Sequence, residues 1–202
     1  NAGPLNIKQR EYTGYIMDSS TALLAIINDI LDLATVDAGI MELDLGAVDI
    51  PSTVGAATTG LRDRIAEAHI DLKLDVPADI GSFVADEKRI RQVLYNLLSN
   101  AIAFSDDGGV VSLSCRRTGE EISFTVEDHG RGIPDEYLQA VFERFESRTN
   151  GARRRGPGLG LSIVKSFVEL HKGSVDITSK IGVGTRVVCR LPINPSIAEA
   201  AE

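Results

Sequence analysis

Residues 8–38 form a stretch without proline in which apolar or small side chains recur at heptad spacing. This pattern predicts one long helix, with Gly39 just beyond its C-terminal cap. At ~1.5 Å per residue such a helix is roughly 45 Å long, which exceeds the body of a small domain. It is therefore expected to meet other helices in a hairpin or bundle, often dimeric, rather than serve only as a core helix. The heptad positions are Ile16, Ser19, Leu23, Ile26, Ile30 and Leu33.

The chain divides by composition into the long helix (1–40), a mixed region (41–193) and a tail (194–202). Amphipathic helices are predicted over 54–68, 86–104 and 159–171, and strands over 41–45, 70–76, 110–116, 121–126, 174–178 and 185–191. The strict alternation in 70–76 predicts a strand with one buried face. Since several strands are adjacent in sequence and expected to be antiparallel, the fold class is predicted to be α+β, a two-layer sandwich with helices on one face.

Charge and cysteine content exclude several classes of protein. A net charge of −8 over 202 residues argues against a generic nucleic-acid or anionic-membrane binder. The two cysteines, Cys115 and Cys189, are too few for a disulfide framework or a zinc site and are expected in the core. No signal peptide and no membrane-spanning run is recognised, so a cytosolic fragment is expected, with any membrane anchor outside this chain.

Asp128 ends a predicted strand and is followed by glycines at alternate positions, Gly130 and Gly132. Such glycines allow positive φ and close approach of the backbone to a ligand. A carboxylate at a strand end can accept a hydrogen bond from an exocyclic amine such as that of adenine. Taken alone, the motif is weak evidence, because the same spacing is common in ordinary turns between two strands, which are the more frequent case.

Two further motifs suit phosphate and a metal ion. Asn96 and Asn100 lie four residues apart on one face of a predicted helix, and two amides are costly to bury without partners. An amide oxygen is a suitable ligand for Mg²⁺. The glycine-rich run 156–161 opens the last predicted helix, where backbone N–H groups and the helix dipole favour an anion. An arginine-rich loop ending at Arg155 precedes it, and phosphate contact is preferred there to a merely solvated face.

The ordered motifs resemble the N, G1, F, G2 and G3 boxes of sensor histidine kinases. They are Asn96-x-x-x-Asn100, Asp128-x-Gly130-x-Gly132, Val141-Phe142-Glu143-Arg144-Phe145, Gly156-x-Gly158-x-Gly160-Leu161 and Gly182-x-Gly184-Thr185. The long helix is similar to the second helix of that family's dimerisation and phosphotransfer hairpin. The chain resembles most the alphaproteobacterial cell-cycle sensor kinases. The resemblance implies a Bergerat (GHKL) ATP-binding sandwich preceded by this helix.

The resemblance also implies a role for individual residues. Asp128 would bind the adenine amine with Thr185 nearby, and Asn100 would ligate Mg²⁺ with Asn96 beside it. The glycines that open the last helix would receive the phosphates under a lid formed by residues 146–155. The implied ATP-binding residues are Asn96, Asn100, Asp128, Gly130, Gly132, Phe142, Phe145, Arg155, Gly158, Leu159, Gly160, Leu161 and Thr185.

The implied partners are a second copy of the chain, joined through the helical hairpin, and the receiver domain of a response regulator. Another sensor kinase is a further candidate partner. The exposed side of the long helix is expected to bind the receiver. The residues proposed for that contact are Tyr12, Tyr15, Ile16 and Ser19.

The sequence departs from the family pattern in two ways. None of His69, His129 and His171 has the context of a phosphoacceptor, so the acceptor is expected on a preceding hairpin helix. His171 is placed at a helix end, where the dipole favours a cation. Ala103 stands where many members of the family have lysine, which predicts weaker ATP binding or slower transfer.

Three functions stay open on this evidence. The first is the core of a sensor kinase that passes the γ-phosphoryl group of ATP to an acceptor and then to a response regulator. The second, an ATPase of the gyrase or Hsp90 type, ranks low because Asn96 stands where that chemistry needs a glutamate base. The third is a pseudokinase that binds nucleotide and a regulator or kinase with little or no phosphotransfer, a reading that Ala103 favours.

Overall fold

The computed structural model describes residues 3, 5–144 and 158–195. The chain divides into two compact units, Asn1–Met41 and Glu42–Glu202. The first unit is built on one helix, and the second is an α/β unit that carries the glycine-rich motifs. Each unit has its own pattern of burial.

The helix of the first unit is α1 (Ile7–Asp37). It begins at a capping box, in which Asn6 Oδ1 accepts from the Gln9 N–H and the Asn6 N–H donates to Gln9 Oε1. At the other end Gly39 has a φ of +65°, and the N–H groups of Gly39 and Ile40 satisfy carbonyls of the last turn in a Schellman motif. The long helix and its glycine terminator are thus confirmed.

Most apolar side chains of α1 are exposed, with Ile16 at 62% of its reference surface. By length and composition α1 could also cross a membrane, whereas the sequence reading expected no such run. This is weak evidence, since core helices of soluble proteins and signal sequences meet the same criterion. An apolar face of this size in a water-soluble protein marks a surface that another element covers.

The second unit alternates strands and helices. In chain order its elements are β1 (Gly46–Asp49), α2 (Ile50–Thr59), α3 (Arg62–Glu67), β2 (Asp71–Asp75), β3 (Ser82–Ala85), α4 (Glu87–Phe104), β4 (Val110–Thr118), β5 (Glu121–Asp128), two 3₁₀ turns (Asp135–Tyr137 and Ala140–Phe142), α5 (Gly160–Leu170), β6 (Ser174–Lys180) and β7 (Gly184–Pro192). Five strands form one sheet in the order β2-β4-β5-β7-β6, and β1 pairs with β3 in a separate ribbon. Only β2 runs parallel to its neighbour among these described pairs. The predicted α+β sandwich is confirmed, with a mixed rather than antiparallel sheet.

The core lies between the sheet and α4, which also packs against α2 and α5. Asp86 caps α4 by accepting from the Arg89 N–H at 3.1 Å. The buried apolar residues of α4 recur at helical spacing and are Ile90, Val93, Leu94, Leu97, Leu98, Ala101 and Ile102. Burying each large side chain of this kind contributes about 1.5–3 kcal/mol, so this stripe holds the two layers together. Cys115 and Cys189 are both in this core, as predicted.

Three predicted elements differ from the structure. The helix expected over 54–68 is two helices, because the chain turns at Gly60 and buries Leu61 completely. The strand expected at 41–45 begins instead at Gly46, where pairing with β3 starts. The strand near 70–76 is β2, an edge strand whose expected buried face is only partly buried: Ile70 is buried, whereas Leu74 is 49% exposed.

Candidate functional site

Asp128 is the last residue of β5, and its side chain is almost fully buried. Its Oδ1 accepts the N–H of Gly130 at 2.9 Å, and the backbone N–H of Thr185, opposite on β7, also stabilises the ionised carboxylate. Burial raises the pKa of the Asp128 carboxyl, and these two N–H groups and His129 oppose that rise. The result is a buried, acceptor-rich carboxylate at the end of the central strands.

Two glycines after Asp128 allow close backbone packing. A Cβ on Gly130 would lie 2.1 Å from the Phe104 carbonyl oxygen, so only glycine lets this loop meet the end of α4. A Cβ on Gly132 would lie 2.1 Å from the Lys180 carbonyl oxygen, and this residue also has a φ of +70°. Gly130 has no positive φ, so its requirement is space alone. The glycines bring β5, α4 and β6 together at one edge.

Asn96 and Asn100 lie where α4 meets the start of α5. A Cβ on Gly160 would lie 3.4 Å from Asn100 Nδ2 and 3.9 Å from Asn96 Cβ, which puts both asparagines beside this glycine. Within residues 3, 5–144 and 158–195, Asn96 Nδ2 is the one buried side-chain polar atom without a hydrogen-bond partner. A buried donor without an acceptor costs about 1–3 kcal/mol. The site therefore favours a ligand or water that supplies an oxygen.

The start of α5 adds backbone donors to the same place. Gly158 has a φ of +74°, and Leu159, which is completely buried, precedes the first helical residue, Gly160. No side chain caps this helix, so the N–H groups of its first turn have no side-chain acceptor at the N-cap. Leu161 is half-buried at the next position. Uncapped N–H groups beside two amides form an environment suited to an anion.

A metal ion at this place would need oxygens from outside the protein. Over the described ranges no group of three or more His, Cys, Asp or Glu side chains could hold a metal ion. Asn100 offers one amide oxygen, and Mg²⁺ is commonly bound through few protein ligands with water and phosphate oxygens completing the shell. The residues present thus fit a magnesium ion that arrives with a phosphorylated ligand.

The remaining predicted residues are distributed differently. Phe142 is half-buried in a 3₁₀ turn that packs against α5. Phe145, Arg155 and the predicted lid over 146–155 lie outside the described residues. The receiver-binding candidates Tyr12, Tyr15, Ile16 and Ser19 are exposed on α1, in the first unit.

The expectation for His171 is wrong. This side chain is buried, and burial lowers its pKa, so the neutral form is favoured over the cation predicted at this helix end. Its Nδ1 donates to the Phe167 carbonyl oxygen at 2.7 Å, and its Nε2 accepts the Asp86 N–H at 3.0 Å. The helix dipole is the weaker influence here because the imidazole is almost completely buried.

Sequence reasoning did not identify two residues near the site. Arg131 lies with its guanidinium 4.6 Å from the Phe104 ring centroid, in a cation–π contact at the end of α4. Ser179 contacts Thr185, six residues later across a tight turn. The pairing register of the β6–β7 hairpin, which turns at Gly182, was the signal that could have revealed the contact between Ser179 and Thr185.

Comparison with known proteins gives one family. A family model described as histidine kinase-, DNA gyrase B-, and HSP90-like ATPase matches residues 85–195. Circadian input-output histidine kinase CikA of Synechococcus elongatus is 38% identical over 194 residues, covering 94% of this chain and 26% of CikA. Histidine protein kinase DivJ of Caulobacter vibrioides is 36% identical over 192 residues, covering 95% of this chain and 32% of DivJ. The chain thus spans about a quarter to a third of these relatives.

Two solved structures have the same fold. The crystal structure of full-length ShkA in complex with AMPPNP matches with a TM-score of 0.80 and 31% identity, over 94% of this chain and 40% of ShkA. Histidine kinase ThkA in complex with response regulator protein TrrA matches with a TM-score of 0.72 and 22% identity, over 97% of this chain and 54% of ThkA. At that identity the second match concerns the fold alone.

Proposed function

The chain belongs to the family of histidine kinase-, DNA gyrase B- and HSP90-like ATPases, and we propose that it is the Mg-ATP-binding core of a two-component sensor histidine kinase. The expected resemblance to sensor kinases, including the cell-cycle group that contains DivJ, is confirmed. The bound nucleotide, the metal ion and phosphotransfer are proposals for this chain. A cytoplasmic position within a larger, membrane-associated sensor protein is proposed as well.

The observation that carries the proposal is the unpartnered Nδ2 of Asn96 beside Asn100 and Gly160. A buried donor of this kind is unfavourable in the empty protein and becomes favourable when an anionic oxygen accepts from it. The uncapped start of α5 directs further N–H groups to the same place. A triphosphate satisfies both sets of donors at once.

The other end of the site suits the base. Asp128 is buried, acceptor-rich and held by the N–H groups of Gly130 and Thr185. An ionised carboxylate offers no proton, so it selects a ligand edge that donates, such as an exocyclic amine. ATP carries such an amine at one end and phosphates at the other, as the site requires.

The chain's own residues would bind and orient the nucleotide. Asn100 would hold Mg²⁺, and the metal would neutralise charge on the phosphates. Gly158 and Gly160 would let the backbone approach those phosphates closely. Positioning and electrostatic stabilisation supply most of the catalysis in phosphoryl transfer, so these contacts are the chain's expected contribution.

Titration of the protein with ATP and MgCl₂ by isothermal calorimetry tests this proposal. Asp128→Asn is expected to weaken ATP binding at least 10-fold, about 1.4 kcal/mol, because a charge-assisted acceptor is replaced by a neutral amide. Glu127→Gln makes the same change one residue earlier, on the other face of β5, and is expected to leave affinity unchanged. Equal effects of both substitutions, or no ATP binding by the wild-type protein, would contradict the proposal.

Response-regulator binding is proposed for the exposed side of α1. Tyr12, Tyr15, Ile16 and Ser19 lie at helical spacing on one side, where Tyr15 Oη donates to Glu11 Oε1 at 2.8 Å. A response regulator is the class of partner that a two-component kinase related to CikA and DivJ would need. Glutamate at both Tyr15 and Ser19 is expected to abolish receiver binding, and unchanged affinity would count against this surface.

The pseudokinase is kept as a second candidate because of Ala103. This residue is exposed near the end of α4 and provides no cation for a phosphate. Radiolabelled ATP with a chain extended upstream distinguishes the two candidates. Labelled protein is the outcome for a kinase, and ATP binding without label is the outcome for a pseudokinase. Ala103→Lys is expected to tighten ATP binding in either case.

A further inference from the structure

Three polar side chains lie side by side at the end of the sheet where Asp128 is buried. Asp128 on β5 is the register partner of Thr185 on β7, and Thr185 is the register partner of Ser179 on β6. Directly opposed residues of antiparallel strands direct their side chains to the same face. The carboxylate, the threonine hydroxyl and the serine hydroxyl therefore form one row on the helix-covered face.

Ser179 Oγ makes three short contacts in this row. It accepts the N–H of Ile133 at 2.8 Å, from the loop that follows the glycines after Asp128. It lies 2.8 Å from the carbonyl oxygen of Gly184 and 2.9 Å from Thr185 Oγ1. One hydroxyl thus links the loop after β5 to the first two residues of β7.

Counting protons fixes the direction of each bond. Ser179 has one hydroxyl proton, and the carbonyl oxygen of Gly184 can only accept, so the serine proton goes to that carbonyl. The two lone pairs of Ser179 are then used by the N–H of Ile133 and by the hydroxyl proton of Thr185. In this arrangement all three short contacts carry one proton each.

The consequence concerns Thr185, whose hydroxyl proton is committed to Ser179. Its oxygen then presents lone pairs only, as the neighbouring carboxylate of Asp128 does. Both side chains at this end of the site are therefore acceptors. A carbonyl oxygen on a ligand placed there would meet acceptors without a proton between them.

We propose that Ser179 is a positioning residue that fixes the Thr185 hydroxyl as an acceptor, so that the site selects purine nucleotides with a 6-amino group over those with a 6-oxo group. The inference rests on the proposed nucleotide binding and assigns its base selectivity to a side chain that need not touch the ligand. A site built for a hydrogen-bond donor rejects an analogue without one because buried acceptors would be left unpaired.

The test compares ATP with inosine triphosphate, whose 6-oxo group replaces the amine. Both are measured with MgCl₂ by competition against a fluorescent ATP analogue on the 202-residue protein. Ser179→Ala releases the Thr185 proton, which can then turn to a 6-oxo group. The ratio of the two dissociation constants is expected to fall about 10-fold from the wild-type preference for ATP, the equivalent of one hydrogen bond.

Three further variants make the result decisive. Ser179→Thr keeps a hydroxyl and is expected to retain the preference for ATP. Thr178→Ala removes a hydroxyl from the opposite, exposed face of β6 and is expected to change nothing. Ser179→Cys, with a weakly hydrogen-bonding thiol of similar size, is expected to give an intermediate ratio and replaces the alanine variant if circular dichroism shows that the latter is unfolded.

The outcomes separate this inference from the proposed function. If Ser179→Ala weakens ATP and inosine triphosphate equally and leaves their ratio unchanged, Ser179 is only structural and the inference is overturned. If the wild-type protein binds ATP and the ratio falls only in the variants without a hydroxyl at position 179, the inference holds. If the wild-type protein binds neither nucleotide, the proposed function fails and the selectivity fails with it.

Discussion

The two long helices, α1 and α4, have similar local signals and opposite patterns of burial. Both begin at side-chain caps and carry apolar residues at helical spacing. In α4 the apolar stripe is buried, and Leu98 has no exposed surface. In α1 most of the apolar side chains are exposed, and Leu24 retains 61% of its surface. Local sequence makes a helix in both cases, whereas the burial of the apolar side chains differs between the two.

The caps show the same contrast. The cap of α1 is a reciprocal pair, Asn6 and Gln9, within one turn and exposed to solvent. The cap of α4, Asp86, is buried and joins segments distant in sequence: its carboxylate accepts the Asp44 N–H at 3.2 Å, and its own N–H donates to His171. A helix end that is fixed by long-range contacts resists fraying. The stability of a helix end that is fixed only by its own first turn depends on how the remainder of that helix is packed.

The sharpest test of this contrast is a pair of leucine-to-alanine substitutions. Leu98→Ala is expected to lower the free energy of unfolding by about 2–5 kcal/mol, because it removes buried methyl groups and leaves a cavity. Leu24→Ala is expected to change it by less than about 0.5 kcal/mol, as at other exposed sites. Urea unfolding followed by circular dichroism measures both. Similar losses for the two variants would show that α1 is as well buried as α4.

The local signals were sufficient to predict α4 and the extent of α1 with its C-terminal glycine. Gly39 as a terminator acts through hydrogen bonds within a few residues, so sequence alone identifies it. The sequence did not predict the turn at Gly60 or the parallel pairing of β2 with β4. Those features depend on contacts between distant segments, which override local propensity.

The candidate site also combines features that local sequence predicts with features that depend on the folded unit. The sequence shows the two motifs that contain Asn96 and Gly160, but only the structure shows that these residues lie beside each other. The expectation for His171 failed because the dipole argument is local, whereas burial is a property of the whole unit. Ser179 was missed because a serine in a strand has no local signature, and only the register with Thr185 gives it a role.

Self-association tests whether the exposed apolar side chains of α1 are covered by a second copy of the chain. If the exposed face of α1 is covered by a second copy of the chain, Leu23→Glu is expected to raise the dissociation constant of the dimer at least 10-fold, about 1.4 kcal/mol, because a charge is buried in an apolar contact. Thr21→Glu adds the same charge two residues away, on the opposite side of the helix, and is expected to have little effect. Sedimentation velocity over a range of concentrations measures both.

Two outcomes of the sedimentation experiment would contradict a dimer formed through the heptad positions of α1. A wild-type protein that stays monomeric at all concentrations would show that the occupant of the α1 face is not a second copy. Equal weakening by both glutamates would show that the contact is not confined to the heptad positions. In either case the second unit is expected to keep its unfolding transition, because both substitutions lie in the first unit.

The smallest expected effect concerns pH and the buried end of α4. Burial lowers the pKa of His171 below its ordinary 6.5, while the hydrogen bond to Phe167 and the Asp86 carboxylate oppose this shift. The unfolded chain therefore binds a proton near pH 6.5 when the folded chain does not, and stability falls as pH decreases from there to the folded pKa. One such group contributes less than about 1.4 kcal/mol per pH unit to the slope of the unfolding free energy against pH. His171→Gln is expected to flatten the pH dependence of the unfolding free energy below pH 6.5. If the variant kept the wild-type slope, the His171 imidazole would be accessible to protons in the folded state, and the fixed end of α4 would be no better protected from solvent than the capping box of α1.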